Sequence, residues 1–452
     1  MRQATGVDRK VSGAGSGGLM RAKSRWARRG MTAVVAGLLA FGASAAEAQI
    51  PAPRQARPIA LTGGTIHTVT QGTIENGTIV FENGRITAIG RNVEIPPGAE
   101  RVDITGKHVY PGLIDGYSAL GLFEIGGFTQ TIDLNELGPI NPNVRAEVAF
   151  NPESRHIGVA RSNGVLVTLS SPEGGLISGL AAAMMLDGWT WEEMALKRAA
   201  GLIVLWPNPS NERRYESDLR TLREAFAAAK AYRKAQQAAE RGGRRHDTDS
   251  RWEAMIPVIE GKVPVIVQAN ELRQIQDAIT WAEEEGVRLV IRGGRDAWYV
   301  ADHLREKQIP VLITNVLDSP DRQWEPYDGR YGLARRLHEA GVRFAIAGAS
   351  SAAYENRLPY EAGAAAAYGL PAAEALKAVT LYPAQILGLD DRVGSLEPGK
   401  DATLLITTGD PLEYSTIIEQ AYIQGRKLDM MDQHKEFFEK YMEKIRQARP
   451  RT

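Results

Sequence analysis

The sequence predicts an α/β protein, a (β/α)8 TIM-type barrel inserted in a small β-sandwich built from both chain ends. Three observations carry this: β-rich flanks at both ends, alternating strand and helix patterns between them, and a count of at least seven strand candidates over about 280 residues. An open doubly wound sheet is the alternative, and it fits that many parallel strands less well. The chain has 452 residues, with 54 basic and 54 acidic side chains, so neither a basic nucleic-acid binder nor an acidic solvating chain fits. It has no cysteine, which excludes disulfides, thiolate metal sites and cysteine nucleophiles together.

Residues 1–48 read as a signal peptide. Arg25, Arg28 and Arg29 precede the apolar run Met31–Phe41, and small residues lead to Ala46-Glu-Ala48, where cleavage is expected. The run is too short for a bilayer core, so no membrane span is expected after cleavage. Arg28-Arg29 also permits a twin-arginine route, and Met20 or Met31 is a possible start. Removing 1–48 takes away eight basic and two acidic residues, leaving a mature chain near −6 that is expected to be exported, periplasmic or secreted. Gly13-x-Gly15-x-x-Gly18 matches a dinucleotide fingerprint by letter, but no strand precedes it.

The first flank, 57–112, is a meander of short β-rich runs in which Glu82-Asn-Gly84 forms a hairpin turn, because Asn-Gly tolerates the positive φ values such turns need. The second flank, 391–428, carries Asp401–Thr407 and Ala421–Gly425. The barrel is expected over 113–390. Its clearest unit is the strand Val263–Val267, a helix with Leu272, Ile275, Ile279 and Ala282 on one face ending at Gly286, then the strand Val287–Ile291. Further strands are expected at 309–313 and 342–346, with helices near 296–306 and 331–340. Earlier strands fall at 113–114, 165–169 and 202–205. Successive βα units demand right-handed crossovers and a parallel sheet. Ser171–Gly179 reads as a Gly-rich loop, 216–241 as a long helix before the basic run Arg241, Arg244, Arg245, and Thr190 with Glu193 as a capping box. The tail 429–452 is a charged amphipathic helix expected to pack on a neighbour.

Val109-Tyr-Pro-Gly-Leu-Ile-Asp115, where the first flank meets the barrel, resembles the amidohydrolase superfamily in its imidazolonepropionase-like branch. Ala375–Thr380, Pro383–Leu389 and Gly394–Ala402 resemble that family's C-terminal signature, so the likeness covers about residues 57–428. The resemblance implies a hydrolase of amide-like C–N bonds using one or two divalent metals such as Zn. Their ligands would be a His-x-His pair after the first strand, a bridging Lys or Glu, two further histidines and an aspartate after the last strand.

Those positions are changed here. After Asp115 the pair reads Tyr117-Ser-Ala119; Gln268-Ala-Asn270 follows the strand 263–267; Arg292-Gly293-Gly294 follows 287–291; and Ala347-Gly-Ala-Ser350 follows the last strand. The seven histidines (His67, His108, His156, His246, His303, His338, His434) all fall away from strand ends, on the flanks, helices and the basic loop. Losing imidazole donors removes roughly 10–16 kcal/mol of metal binding and the drop in water pKa from about 15.7 to about 7. No Gly-x-Ser-x-Gly elbow, Ser-x-x-Lys pair or His-Glu-x-x-His motif replaces them. No metal cofactor is therefore expected, and among near-barrel carboxylates Asp115, Glu124 and Glu271 are not spaced as an oxygen-ligand loop. Asp115 reads equally as a loop anchor.

What remains at the mouth is polar: Tyr117, Gln268, Asn270, Arg292, Arg295 and Ser350 as substrate-binding residues, with Ser351 and Arg357 beside them. Guanidinium forks and amides bind carboxylates and peptide groups without a metal; the alternative is that they satisfy one another. The expected function is a pseudo-hydrolase that binds a small amide or peptide-like ligand or supports an active paralogue, as a homo- or hetero-oligomer. The rival is a working C–N hydrolase for a cyclic or non-peptide amide, with Asp115 or Glu271 as base and Arg292 polarising a carbonyl. A purely structural secreted protein is the third possibility.

Overall fold

A computed structural model describes residues 50–243, 247–348 and 351–448. The expected signal peptide, Arg244, Arg245, His246 and Ser350 lie outside them.

The first flank supplies β1 (Ile59–His67), β2 (Thr73–Glu82), β3 (Arg85–Gly90), β4 (Glu100–Asp103) and β5 (His108–Pro111). The barrel follows with β6 (Leu113–Ser118), β7 (Val165–Ser170), β8 (Ile177–Met185), β9 (Ala195–Leu205), β10 (Val265–Ala269), β11 (Leu289–Gly293), β12 (Val311–Ile313) and β13 (Phe344–Ile346). The second flank adds β14 (Leu404–Thr407), β15 (Ile418–Ile423) and β16 (Arg426–Lys427). The two flanks form one eight-stranded sheet, joined where β14 pairs antiparallel with β5, Leu404 opposite Pro111 and Thr407 opposite His108. Its apolar face buries Leu61, Ile66, Ile79, Phe81, Val109, Leu404 and Tyr422 in a core of its own. This is the end-to-end sheet that the two β-rich flanks predict.

The eight barrel strands run in sequence order, and the sheet comes close to closing. The gap between β13 and β6 is spanned by the Asp115 carboxylate, which accepts the Gly348 backbone N–H at 2.9 Å, while Ile114 N donates to Val379 O at the end of the helix Ala372–Ala378. The larger core, from Leu113 through Val167, Val204, Ile266, Ile291 and Ile346, fills the barrel and the space beneath its helices.

One strand departs from the expected pattern. β8 is antiparallel to both β7 and β9, so this third of the barrel is a meander and not a pair of βα units. The expected Gly-rich loop 171–179 is therefore shorter, and its last three residues open β8. The segment ISGLAAAMM is small, apolar and buried at every position, so it shows neither the alternation nor the β-branched run that marks a strand in sequence.

Helices follow the apolar spacing. The helix Glu212–Glu240 is capped by Asn211, whose side chain accepts Arg214 N, and it buries Leu222, Phe226 and Ala229. Leu272–Glu285 buries Ile275, Ile279 and Ala282 and stops at Gly286, which has φ +69°. The capping box expected at Thr190 does not form: the helix there is one turn, Trp191–Met194, and Glu193 instead accepts Trp189 N at 3.1 Å. The C-terminal helix Gln433–Ala448 buries none of its residues, and Phe437, Phe438, Tyr441 and Ile445 are exposed.

Candidate functional site

The barrel strands end two residues later than the sequence pattern suggests in β10 and β11, which draws Gln268 and Arg292 into the strands themselves. Gln268 pairs in register with Arg292, and partners on adjacent strands share a face. Arg292 Nη2 donates to Gln268 Oε1, and the guanidinium carbon lies 3.9 Å from the ring centroid of Tyr117, reaching from β11 to β6. The Tyr117 hydroxyl donates in turn to Glu173 Oε1, on the short connection from β7 to β8. Four side chains from four segments thus form one cluster, in which Arg292 is only 2% exposed.

This guanidinium is incompletely satisfied. Its Nη1 is buried and has no hydrogen-bond acceptor. Burial pulls its pKa down to about 10, with the charge of Glu173 acting in the opposite direction. A buried cation lacking an acceptor is costly, so a carbonyl or carboxylate oxygen placed at Nη1 would recover a charge-assisted hydrogen bond.

Below this cluster lies a pair of enclosed carboxyls. Asp115 accepts the backbone N–H of Tyr117 at 3.0 Å and that of Gly348 with both oxygens. Ser118 Oγ donates to Glu355 Oε2 at 2.5 Å. Asp115 and Glu355 are both buried and interact with each other. Burial, and then the charge of Glu355, push Asp115 well up, while burial raises Glu355 to about 7. Each carboxyl disfavours the charge of the other, so the pair holds a proton more readily than either acid would in water. Glu361 is a third: burial lifts it to about 7, although Leu317 N donates to it at 2.8 Å.

The remaining sequence-predicted residues lie apart from the Tyr117–Gln268–Arg292 cluster. Asn270 packs against the backbone of Gly293, where φ is +92° and a Cβ would meet Asn270 Oδ1 at 2.3 Å. Glu271 caps the helix Leu272–Glu285 in a capping box with Gln274, a structural job. Arg295 pairs with Asp321, and with Glu325 at 3.5 Å, and shares the wall of a pocket with Asn270. Glu124 accepts from Asn151 Nδ2, and Arg357 stacks over Tyr354 at 3.8 Å. Sequence reasoning missed Glu173, Ser118 and Glu355. Glu355 was legible as the lone acid between Ser351 and Arg357 after the last strand, and Glu173 as the acid inside the Gly-rich connection.

The described histidines lie on flank strands and helices, with one unforeseen meeting; His246, expected in the basic loop, lies outside the described residues. Parallel pairing of β1 with β5 brings His67 Nε2 within 3.0 Å of His108 Nδ1, and the His67 ring stacks on Tyr110. Among the described residues no three His, Asp or Glu side chains converge as a metal shell.

A family model described as "Amidohydrolase family" matches residues 195–431. A crystal structure of an amidohydrolase from Thermotoga maritima superposes with a TM-score of 0.76 at 30% identity, covering 82% of this chain and 99% of that one. Amidohydrolase tasK of Hapsidospora irregularis is 25% identical over 77% of this chain, which spans only 39% of its length. An imidazolonepropionase of Syntrophobacter fumaroxidans is 42% identical over 18% of this chain and 20% of its own.

Proposed function

The chain belongs to the amidohydrolase family, and we propose that within it this protein is an exported pseudo-hydrolase that binds a small amide or peptide-like ligand at the barrel mouth. The observation that supports this reading is Arg292. At a strand end where the family would supply metal ligands stands a buried guanidinium, stacked on a phenol and donating to a carboxamide. That donor set does not fit a divalent metal. A second cation beside an enclosed arginine is repelled in low dielectric, and phenol and carboxamide are poor ligands at neutral pH. The same set suits an acyl oxygen or carboxylate, with Nη1 supplying the vacant donor and the Tyr117 ring covering one face of the cation.

The rival, a working C–N hydrolase, would need a base. Asp115 is fully enclosed and already accepts backbone N–H groups from Tyr117 and Gly348, and Glu271 is a helix cap. Both therefore have structural duties, which favours the binding reading.

Elemental analysis of purified protein, with melting curves in the presence of N-acetyl amino acids, tests it. Substoichiometric metal and a melting temperature raised by the ligand in wild type but not in Arg292→Met are expected. About one firmly held Zn, Mn or Fe per chain would overturn the reading, as would amide turnover abolished by Asp115→Asn.

A further inference from the structure

At the C-terminal ends of β10, β11 and β12, against Asn270, Gly293 and Ile313, lies an open pocket of about 70 Å3. It opens between the segment after β11 and the long connection after β12. Tyr117, Gln268 and Arg292 are absent from its lining, which instead takes in Asn270, Gly293 and Arg295. Three incompletely buried aromatic side chains face it: Trp298, Tyr299 and Trp324, exposed by 37%, 48% and 66%. Aromatic surface left in water around one concavity is the usual lining of a site for a flat apolar body.

The charges of this wall divide into two groups. Arg295, Arg322 and Arg330 are tied to Asp296, Asp321 and Glu325: Arg322 forks onto Asp296 at 2.7 and 3.1 Å, Arg330 reaches Asp321 at 2.6 Å, and Arg295 bonds the same Asp321. These carboxylates are occupied and offer nothing to a cationic ligand. Arg336, on the helix Leu333–Glu339, stands outside the network. No carboxylate among the described residues lies within ion-pair distance of it, and its guanidinium is held 4.7 Å over the ring of Trp298. In addition, the buried Nε of Arg330, in the pocket wall, has no hydrogen-bond acceptor.

We propose that this pocket is a second ligand site, selective for a small aromatic carboxylate. Trp298 and Tyr299 pack on each other with ring centroids 3.7 Å apart, so the ligand's ring would lie against Trp324 and the edge of that pair, and the carboxylate would pair with Arg336. An aromatic cage alone could equally attract a quaternary ammonium, but the guanidinium on Trp298 already occupies that ring's negative face and repels a second cation. A neutral ring would leave Arg336 without a counter-charge. The anion satisfies both.

Indole-3-acetate is the probe, its binding to the full chain followed by titration calorimetry. Saturable binding below about 10 mM is expected, weakened about tenfold or more by Arg336→Gln and by Trp298→Ala, with choline failing to compete. Arg336 is solvent-accessible on a short helix, so Arg336→Gln is expected to melt within a few degrees of wild type; Arg336→Lys, which keeps the charge but not the planar fork, should retain partial affinity. Absence of saturable binding, unaltered affinity in a folded Arg336→Gln, or preference for choline would each overturn the assignment.

Discussion

The guanidinium of Arg292 lies flat over Tyr117, 3.9 Å from carbon to ring centroid, and so links the first and sixth strands of the barrel across its interior. A buried cation with one donor nitrogen lacking an acceptor is an energetic liability. Replacing it with a residue of similar volume, Arg292→Met, is expected to leave the melting temperature unchanged or raise it by a few degrees, because apolar replacement of an enclosed charge is often neutral or stabilising. Differential scanning calorimetry reads this directly. A loss of several degrees would mean that Glu173 depends on the arginine more than the arginine costs.

The carboxyl groups of Glu355 and Glu361 give a defined pH response. Both are raised to about 7 in the folded chain from ordinary values near 4.5. Protons are therefore bound more tightly in the folded state, and the stability they contribute is fully present below about pH 4.5 and is lost as pH rises through 7. A shift of this size corresponds to about 3 kcal/mol for Glu361. Urea melts between pH 5 and 8 should show stability falling with pH from these groups, and Glu355→Gln, a mimic of the protonated acid, should flatten the slope.

Gly348 sits against the carboxylate that ties β13 to β6. A Cβ at this position would meet Asp115 Oδ2 at 2.4 Å, and that side chain cannot retreat because backbone N–H groups hold it. Gly348→Ala should therefore cost about 1–3 kcal/mol in chemical denaturation. An unchanged midpoint would show that the barrel seam yields.

Asp187 is the ionic joint between barrel and flank. It pairs with Arg161 and with Arg426 of β16, each at 3.0 Å, and accepts the backbone N–H of Ala52. Asp187→Ala removes the shared anion from the buried Arg161 and the partly buried Arg426 and should cost about 3–5 kcal/mol in urea unfolding. Asp187→Asn should recover part of that loss through its remaining acceptor.

Legibility in the sequence followed the physics of each element. The strand at Val265–Ala269 and the helix after it were readable because burial on both faces demands a continuous apolar run and one-sided burial demands a stripe. Tyr117, Gln268 and Arg292 were readable from their places at strand ends, and the structure brings them into contact. The link from Ser118 to Glu355 was not, since a hydroxyl–carboxylate contact across 237 positions leaves no local pattern. β8 escaped because alanine, glycine and methionine carry little strand preference; its burial between β7 and β9 overrides propensity. The meeting of His67 and His108 followed from sheet pairing, which sequence separation does not reveal.

The reversed strand β8 also bears on the order in which the chain assembles. In an all-parallel barrel every strand waits for a helical crossover before it finds its neighbour, whereas β7, β8 and β9 are consecutive and joined by short connections. Their pairing closes small loops, and small loops close early. This corner is thus the natural nucleus: the remaining strands add to an existing template, and substitutions within Ile177–Met185 should slow refolding more than they hasten unfolding.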